Sequence, residues 1–509
     1  MTNEIIGVLE KFGIDGPRFE GMVEQLSQQA SGRYARLWAY YANPLRVIAY
    51  MAGTSSTTRP YRQAQEWGVP ARITGYRAGS NPLTDGCAVE DQRKEVVIEN
   101  DIAWRVDTMV EYLFGKIPLI HSTHPDVAVR TRIDKLLAAI FENAGGTQFL
   151  QQYALIGAVY GFVDVAVTLD VDQLENLKRA SGLAAAANTG QPSFDAIVSE
   201  DRQIENLARL VSLRIVEPAR AFAILDPEDI GRLRAYAQVR LAPQRGRETG
   251  IIDRIIGAVT GPTGPSRIVE LWTADGWWRW QGDDLQATGG NSLGAIPIVH
   301  VQNTAMPFAY GGTSDVEPLI PLQDELNTRL SDRAHRIAMQ SFKMYLAKNV
   351  PDFATNPPKP GRCWIANSPD ADIQELGGTA ACPSEDAHIA EVREAIDRAS
   401  SVPPVAAGAI RNRIGNLTSA AALRITLTSL LSRTERKRGL YGEGIERMCA
   451  MALGWLDAAG VFSTPPEERE VEIHWPSPLP QNDAEKLAEA KLKLDLGVGK
   501  EVVLRELGY

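Results

Sequence analysis

Between Gly312 and Leu456 the spacing of apolar positions switches repeatedly, and the switches outline a helix, a short β-like insert, a helix, a glycine-containing loop and a long helix. In the first helix Leu319, Leu322, Leu326, Leu330 and Ile337 form one stripe. Ser314 with Glu317 three residues on reads as a capping box, and Pro321 predicts a kink or restart because it removes a backbone donor. The insert, 341–383, alternates at Phe342, Met344 and Leu346. It turns at the proline-rich stretch around Lys359 and alternates again from Cys363 to Leu376, which predicts a β-hairpin or a small α/β tip. Ser384, Glu385 and Asp386 suit a new helix start, and Ile389, Val392, Ile396 and Ala399 give that helix one apolar face. Pro403 and Pro404 stop it, and Gly408 and Gly415 loosen the loop that follows. The next helix is predicted from about Thr418 through Trp455, with a bend where Gly439, Gly442 and Gly444 weaken it.

Upstream, RYARLWAYYANP and DIAWRVDTMVEYLFGKIP have helical spacing, and TRIDKLLAAIFENAG places Ile133, Leu136, Leu137, Ile140 and Phe141 on one side. From about Val159 the period falls to two. YGFVDVAVTLD, VSLRIVEPARAFAILD, AYAQVRLA, SRIVELWTADGWWRWQGDD and AIPIVHVQN read as strands. The small polar stretch ASGLAAAANTGQPS is a surface excursion. These elements predict an α+β domain over 1–311, and the tail NDAEKLAEAKLKLDLGVGKEVVLRELGY reads as a helical cap. The expected fold class is therefore mixed α+β, mainly helical.

Composition narrows the function more than the fold. The chain of 509 residues is 44% hydrophobic and 23% charged, as folded proteins are, and carries a formal net charge of -10. Its surface as a whole should repel phosphate and anionic lipid, so contact with nucleic acid would have to be local or weak. Cys87, Cys363, Cys382 and Cys449 are scattered, without a CxxC pair, which argues against a disulfide framework or a zinc site. The most apolar run, ALIGAVYGFVDVAVTL, is interrupted by glycines and Asp164 and is too short for a bilayer, and the acidic N-terminus does not read as a secretion signal. No membrane association is expected.

Candidate chemistry is sparse. His121 and His124 in HSTH lack acidic or cysteine neighbours in sequence and read as a surface loop. Gly497-Val-Gly-Lys500 follows a helix and has Glu501 where a P-loop needs Ser or Thr. Asp164, Asp170 and Asp172 read as solvated strand-end acids, and Trp277, Trp278 and Trp280 as packing on a strand. An acidic groove formed by Asp164 and Asp170 beside those tryptophans, acting on a polymer as a hydrolase, is the alternative enzymatic reading. No catalytic, metal or cofactor site is expected. From Arg398 to Arg433 the chain has no acid but carries Arg398, Arg411, Arg413, Arg424 and Arg433. That is a candidate phosphate contact, although Gln25 to Gln65 is equally acid-free with as many arginines, so charge alone does not distinguish it. Arg433, Arg436, Lys437 and Arg438 read as a solvated helix face or a contact with a partner subunit.

Taken in order, RYARLWAYYANP, IENDIAWRVDTMVEYLFGKIP, the passage from LGAIPIVHVQN to GGTSDVEPLIPLQDELNTRLSD, and SEDAHIAEVREAIDRASSVPPVAAGAIRNRIGNLTSAAAL resemble the portal proteins of tailed double-stranded DNA bacteriophages, of the long-tailed type. The resemblance covers most of the chain. It implies a structural protein without enzymatic activity, forming a ring of about twelve copies at one capsid vertex of the virion. Through that ring double-stranded DNA, bound without sequence preference, is packaged and later ejected. It further implies a wing over 1–311, a stem helix over 312–340, a clip over 341–383, a second stem helix over 384–401, a tunnel loop over 402–417, a long wing helix over 418–460 and a crown over 461–509. Arg411, Asn412, Arg413 and Asn416 would face DNA from the tunnel loop. Phe342, Met344, Lys359 and Trp364 would belong to the clip surface that docks the large terminase subunit and then the head-tail adaptor. The remaining implied partners are the major capsid and scaffolding proteins, with assembly in the host cytoplasm.

Overall fold

The computed structural model describes residues 7, 8, 10, 16–47, 61–76, 95–180, 200–229, 231–241, 267–282, 284–341, 344–350, 353, 368–376, 382–408, 425–479, 483–497, 500 and 503. In chain order its helices are α1 (Gly16–Gln29), α2 (Ala35–Ala42), α3 (Ala71–Thr74), α4 (Asp101–Phe114), α5 (Val127–Asn143), α6 (Thr147–Tyr160), α7 (Val171–Ala180), α8 (Glu200–Leu210), α9 (Ile320–Ser341), α10 (Pro383–Ser400), α11 (Thr428–Ala458) and α12 (Asp483–Asp495). The strands are β1 (Leu45–Val47), β2 (Tyr61–Gln63), β3 (Leu119–Ser122), β4 (Phe162–Leu169), β5 (Val211–Val216), β6 (Ala221–Leu225), β7 (Leu233–Leu241), β8 (Arg267–Trp272), β9 (Gly276–Gln281), β10 (Asp284–Gly290), β11 (Ile298–Gln302), β12 (Met344–Lys348), β13 (Asp372–Leu376) and β14 (Val471–His474). The protein is thus mixed α/β with helix predominant. Strands β4 to β9, β11, β12 and β13 fall where the period-two runs predicted them, whereas β1, β2, β10 and β14 lie in segments not read as strands. Contacts divide the chain into two units: 1–37, 106–315 and 412–509 form one, and 38–105 with 316–411 the other.

The first unit is built around β4, whose first six residues are all buried at the centre of the antiparallel sheet β11-β4-β5. Helix α5 buries Ile133, Leu136, Leu137, Ile140 and Phe141, the stripe the sequence marks, and starts where the Asp126 carboxylate accepts from Ala128 N at 2.7 Å. The same core takes Phe149, Leu150 and Tyr153 of α6 and Ile445, Met448, Leu453 and Leu456 of α11. A five-stranded antiparallel meander in the order β10-β9-β8-β7-β6 packs a second, smaller core around Trp280, Leu271 and Phe19.

Helix α11 runs unbroken across its three glycines. Gly444 is there for close approach, because a Cβ at that position would stand 2.2 Å from Tyr153 Oη and 2.4 Å from a Val301 methyl. The basic run on α11 is solvated only at Arg436: Lys437 and Arg438 are buried, and Arg433 is largely so. Arg438 lies over the Trp475 ring and donates to Pro476 O at 2.8 Å. A charge this close to carbonyl and carboxylate acceptors turns inward despite its sequence profile.

In the second unit α9 and α10 are joined near the insert by Arg333–Asp386 at 3.1 Å and by Arg336–Glu385. The α9 stripe is only partly core: Leu319, Leu326 and Leu330 are buried, whereas Ile337 is exposed. A polar ladder supplies the rest of the packing. Gln323, Asn327 and Ser331, at four-residue spacing, are fully buried. Asp101 N donates to Gln323 Oε1 at 3.1 Å, Glu99 N to Asn327 Oδ1 at 3.1 Å and Val97 N to Ser331 Oγ at 3.0 Å. The fit is metric: four helical residues rise about 6 Å and two extended residues about 6.6 Å, so alternate backbone groups of 97–101 meet successive helical turns.

The start of α9 differs from the predicted capping box. A 3-10 turn, Glu317–Leu319, precedes the α-helix, and Pro321 falls in its first turn, so the restart is real. Ser314 is no cap. It is buried and donates to Val159 O at 2.6 Å.

Candidate functional site

Of the residues assigned to a DNA-facing loop, Arg411, Asn412, Arg413 and Asn416 all lie outside the described residues, as do Phe342, Lys359 and Trp364 of the proposed docking surface. What is described is how the chain reaches them. Helix α10 ends at Ser401, which adopts φ +59°, and a 3-10 turn over Pro404–Ala407 leads to Gly408 at φ +76°. Both are left-handed positions that stop a helix from propagating. Arg398, in the last turn of α10, pairs with Glu394 at 3.2 Å. On the far side of the loop, Arg433 is committed to Asp315, which removes it from the candidate phosphate contact.

The described part of the insert is an antiparallel pair, with Met344 opposite Leu376 and Lys348 opposite Asp372. Tyr345, Leu346 and Ile373 are exposed on it, and Tyr345 meets the Phe353 ring at 5.7 Å. Two strands alone are marginal in water, so apolar side chains left exposed there suit contact with another surface. The alternation that predicts the hairpin could have singled out these three residues as well.

Two buried polar clusters in the first unit were invisible in sequence. Asp315 receives Lys437 Nζ at 2.5 Å, Arg433 at 2.7 Å and Asn303 Nδ2 at 2.9 Å. Asn303 Oδ1 in turn accepts from Lys437 at 2.6 Å and from Tyr441 Oη at 3.0 Å. Burial alone would raise the Asp315 carboxyl; the charges of Lys437 and Arg433 and the bonds from Lys437 and Asn303 outweigh it and hold the group below its ordinary value. This cluster locks α11 to the segment that leads into α9.

The second cluster surrounds Asp164. Tyr236 Oη donates to it at 2.8 Å, Tyr310 Oη at 2.9 Å, and His300 Nδ1 lies 2.7 Å away. Burial and the Asp164 carboxylate push both tyrosines well above their ordinary value, so their protons stay on oxygen. Asp164 is therefore an interior acceptor in the middle of a strand, not a solvated strand-end acid. Asp170 serves the α7 start, accepting from Gln173 N at 3.0 Å, and Trp280 is core. The acidic groove of the hydrolase reading has no counterpart among these residues. His124 departs from expectation too: it is buried, accepts from Asp126 N at 3.0 Å and faces Glu468 at 3.2 Å. Among the described residues no group of three or more His, Cys, Asp or Glu is spaced to hold a metal ion, and no helix is long and apolar enough to cross a membrane.

A family model described as phage portal protein, SPP1 Gp6-like, matches residues 263–508, which include α9, the insert, α10 and α11. The portal protein of Mycobacterium phage D29 is 25% identical over 313 residues. Over these stretches the chain is similar to phage portal proteins. The chain spans 58% of the length of that curated portal protein, and the overlap takes in 58% of this chain. Solved chains from the virion of a native gene transfer agent particle and from the neck of an empty one are similar at a TM-score of 0.39 and 12% identity, covering 78% of this chain and 85% of each of those. That likeness is too slight to carry an argument. The resemblance to portal proteins read from the sequence therefore stands on the family match and the phage relative.

Proposed function

We propose that the chain assembles into a ring of about twelve copies at one capsid vertex and forms the channel through which double-stranded DNA is packaged and ejected. On this reading 1–311 is the wing, 312–340 and 384–401 are the stem helices, 341–383 the clip, 402–417 the tunnel loop, 418–460 the long wing helix and 461–509 the crown. The clip would dock the large terminase subunit and afterwards the head-tail adaptor. The wing would meet the capsid and scaffolding proteins during assembly in the host cytoplasm.

The observation that carries the reading is the succession of α9, an antiparallel strand pair and α10, inside a stretch matched by the phage portal family. The physics agrees. DNA in a channel must slide, and each cation held against phosphate adds affinity and therefore friction. A chain of net charge -10 with few arginines near the loop keeps that friction low. ATP hydrolysis would belong to the terminase.

The direct test is a phage or particle assembled with Arg411→Ala and Arg413→Ala together. Rings and proheads should form normally while packaged genome length or DNA retention changes. Particles with normal genome length and titre would remove these arginines from the mechanism. Failure of the wild-type chain to enter particles would remove the portal reading itself.

A further inference from the structure

A short loop between β11 and the segment leading to α9 holds a large apolar side chain out in solvent. Phe308 is 89% exposed and sits at φ +60°, a left-handed conformation that bulky residues avoid. Met306 beside it is half exposed. The loop does not drift into this shape; it is clamped. Gln302 Oε1 accepts from Met306 N at 2.8 Å, Gln302 Nε2 donates to Ala309 O at 2.7 Å, and Thr313 N donates to Thr304 O at 3.1 Å. Tyr310 is stacked on His300 with ring centroids 3.8 Å apart. Strain maintained by this many bonds, with an aromatic ring at its tip, marks a preformed contact.

The same unit carries a matching cavity. Ile425, Leu431, Ser432, Glu435, Pro478 and Leu479 line an open groove of about 430 Å³ at the start of α11, and Ile425 is 75% exposed. That volume accepts a phenylalanine side chain together with its proline or methionine neighbour.

Knob and groove lie on opposite flanks of α11. The loop is rooted on α11 through Asn303, bonded to Lys437 and Tyr441. At about 100° per residue, the side of α11 bearing 433, 437 and 441 is roughly 170° from the side bearing 428, 431, 432 and 435. A knob on one flank and a hole on the other cannot meet within one copy. Between copies they make a head-to-tail contact, the kind that repeats around a closed ring.

Charge points to the same occupant. Copies of net charge -10 repel each other, so they must meet through neutral surface. From Asn303 to Thr313 the sequence has no charged residue, and the acid of the groove, Glu435, is paired with Arg438 at 3.0 Å.

We infer that Met306, Pro307 and Phe308 of one copy seat in the groove between the start of α11 and Pro478–Leu479 of the next copy, as an anchor of the subunit contact. The inference rests on the ring reading above.

The experiment uses the full-length chain with Cys87, Cys363 and Cys382 changed to Ser. Chains carrying Phe308→Cys alone are mixed with chains carrying Ser432→Cys alone and oxidised. Cross-linked pairs are expected from the mixture and not from either chain by itself. In parallel, Phe308→Asp should abolish rings while leaving the thermal unfolding of the single chain unchanged, and a thiol reagent should reach Ser432→Cys in that background but not in wild-type rings. If wild type forms rings, yet Phe308→Asp forms them too and the mixture does not cross-link, this contact is wrong and the ring reading survives. Pairs from Phe308→Cys alone would mean a symmetric contact and overturn the inference. Protection of Ser432→Cys in both backgrounds would mean that the chain's own residues fill the groove, which overturns it as well. Wild type that remains monomeric at assembly concentrations would overturn both readings together.

Discussion

Replacing Asp315 by Ala should be among the most damaging single changes in the first unit. The carboxylate lies 2.5 Å from Lys437 and 2.7 Å from Arg433. At an effective dielectric of about 20 each pair represents roughly 6 kcal/mol of gross attraction, most of it offset by the several kcal/mol needed to desolvate each ion. The net worth of the intact cluster is therefore small. Its disruption is not, because the Lys437 side chain is only 3% exposed and keeps only a neutral acceptor, Asn303 Oδ1, once its charged partner is gone. Leaving such a cation buried and uncompensated costs about 3 to 5 kcal/mol. With a urea dependence of roughly 3 kcal/mol/M, the unfolding midpoint of this unit should fall by about 1 to 1.7 M. The double change Asp315→Asn with Lys437→Met removes both charges and should recover about half of the loss or more. Urea unfolding followed by hydrogen exchange of the α11 amides reads both. A shift below about 0.3 M for Asp315→Ala would refute the buried-pair argument. So would a double variant no more stable than the single.

The same group sets an acid limit. Its folded-state value lies below the ordinary 3.8, so its contribution is complete above that value and is lost as pH falls through the folded one. Acid unfolding of wild type should show this loss, and Asp315→Asn should not. Asn327→Ala strips partners from Glu99 N, Gln323 Nε2 and Gln65 Oε1, and should destabilise the second unit by about 2 to 3 kcal/mol, with the Val97, Glu99 and Asp101 amides exchanging faster. Unchanged exchange at those amides would mean the ladder contributes nothing. Gly444→Ala gains up to about 1 kcal/mol of helix propensity but forces α11 away from Tyr153 and Val301, so a net loss of about 1 to 2 kcal/mol is expected in thermal unfolding. A stabilised Gly444→Ala protein would mean α11 has room to move.

How much of this could be read in the chain follows from which forces leave a periodic trace. The core stripe of α5 and the strands β4 to β9 and β11 were legible because burial imposes a period of 3.6 or 2 on apolar residues. The ladder Gln323–Asn327–Ser331 was not, since polar residues at helical spacing look like a solvated face until the extended segment that bonds them is known. Arg433, Lys437 and Arg438 misled for the same reason, their partners being Asn303 just after β11, Asp315 and the chain near Trp475. Ser314 looked like a cap by local rule, and a carbonyl 155 residues away won it. Phe308 carried no signal, because a left-handed phenylalanine is set by its clamp and not by its own preference. For the channel itself, order along the chain carries the assignment, and the residues proposed to touch DNA rest on position more than on charge.

The most direct measurement is the mass and axial projection of the purified full-length protein by electron microscopy. Closed rings of about a dozen copies around an open axial channel are the predicted result. A single monomeric species, or open filaments without a channel, would contradict the account.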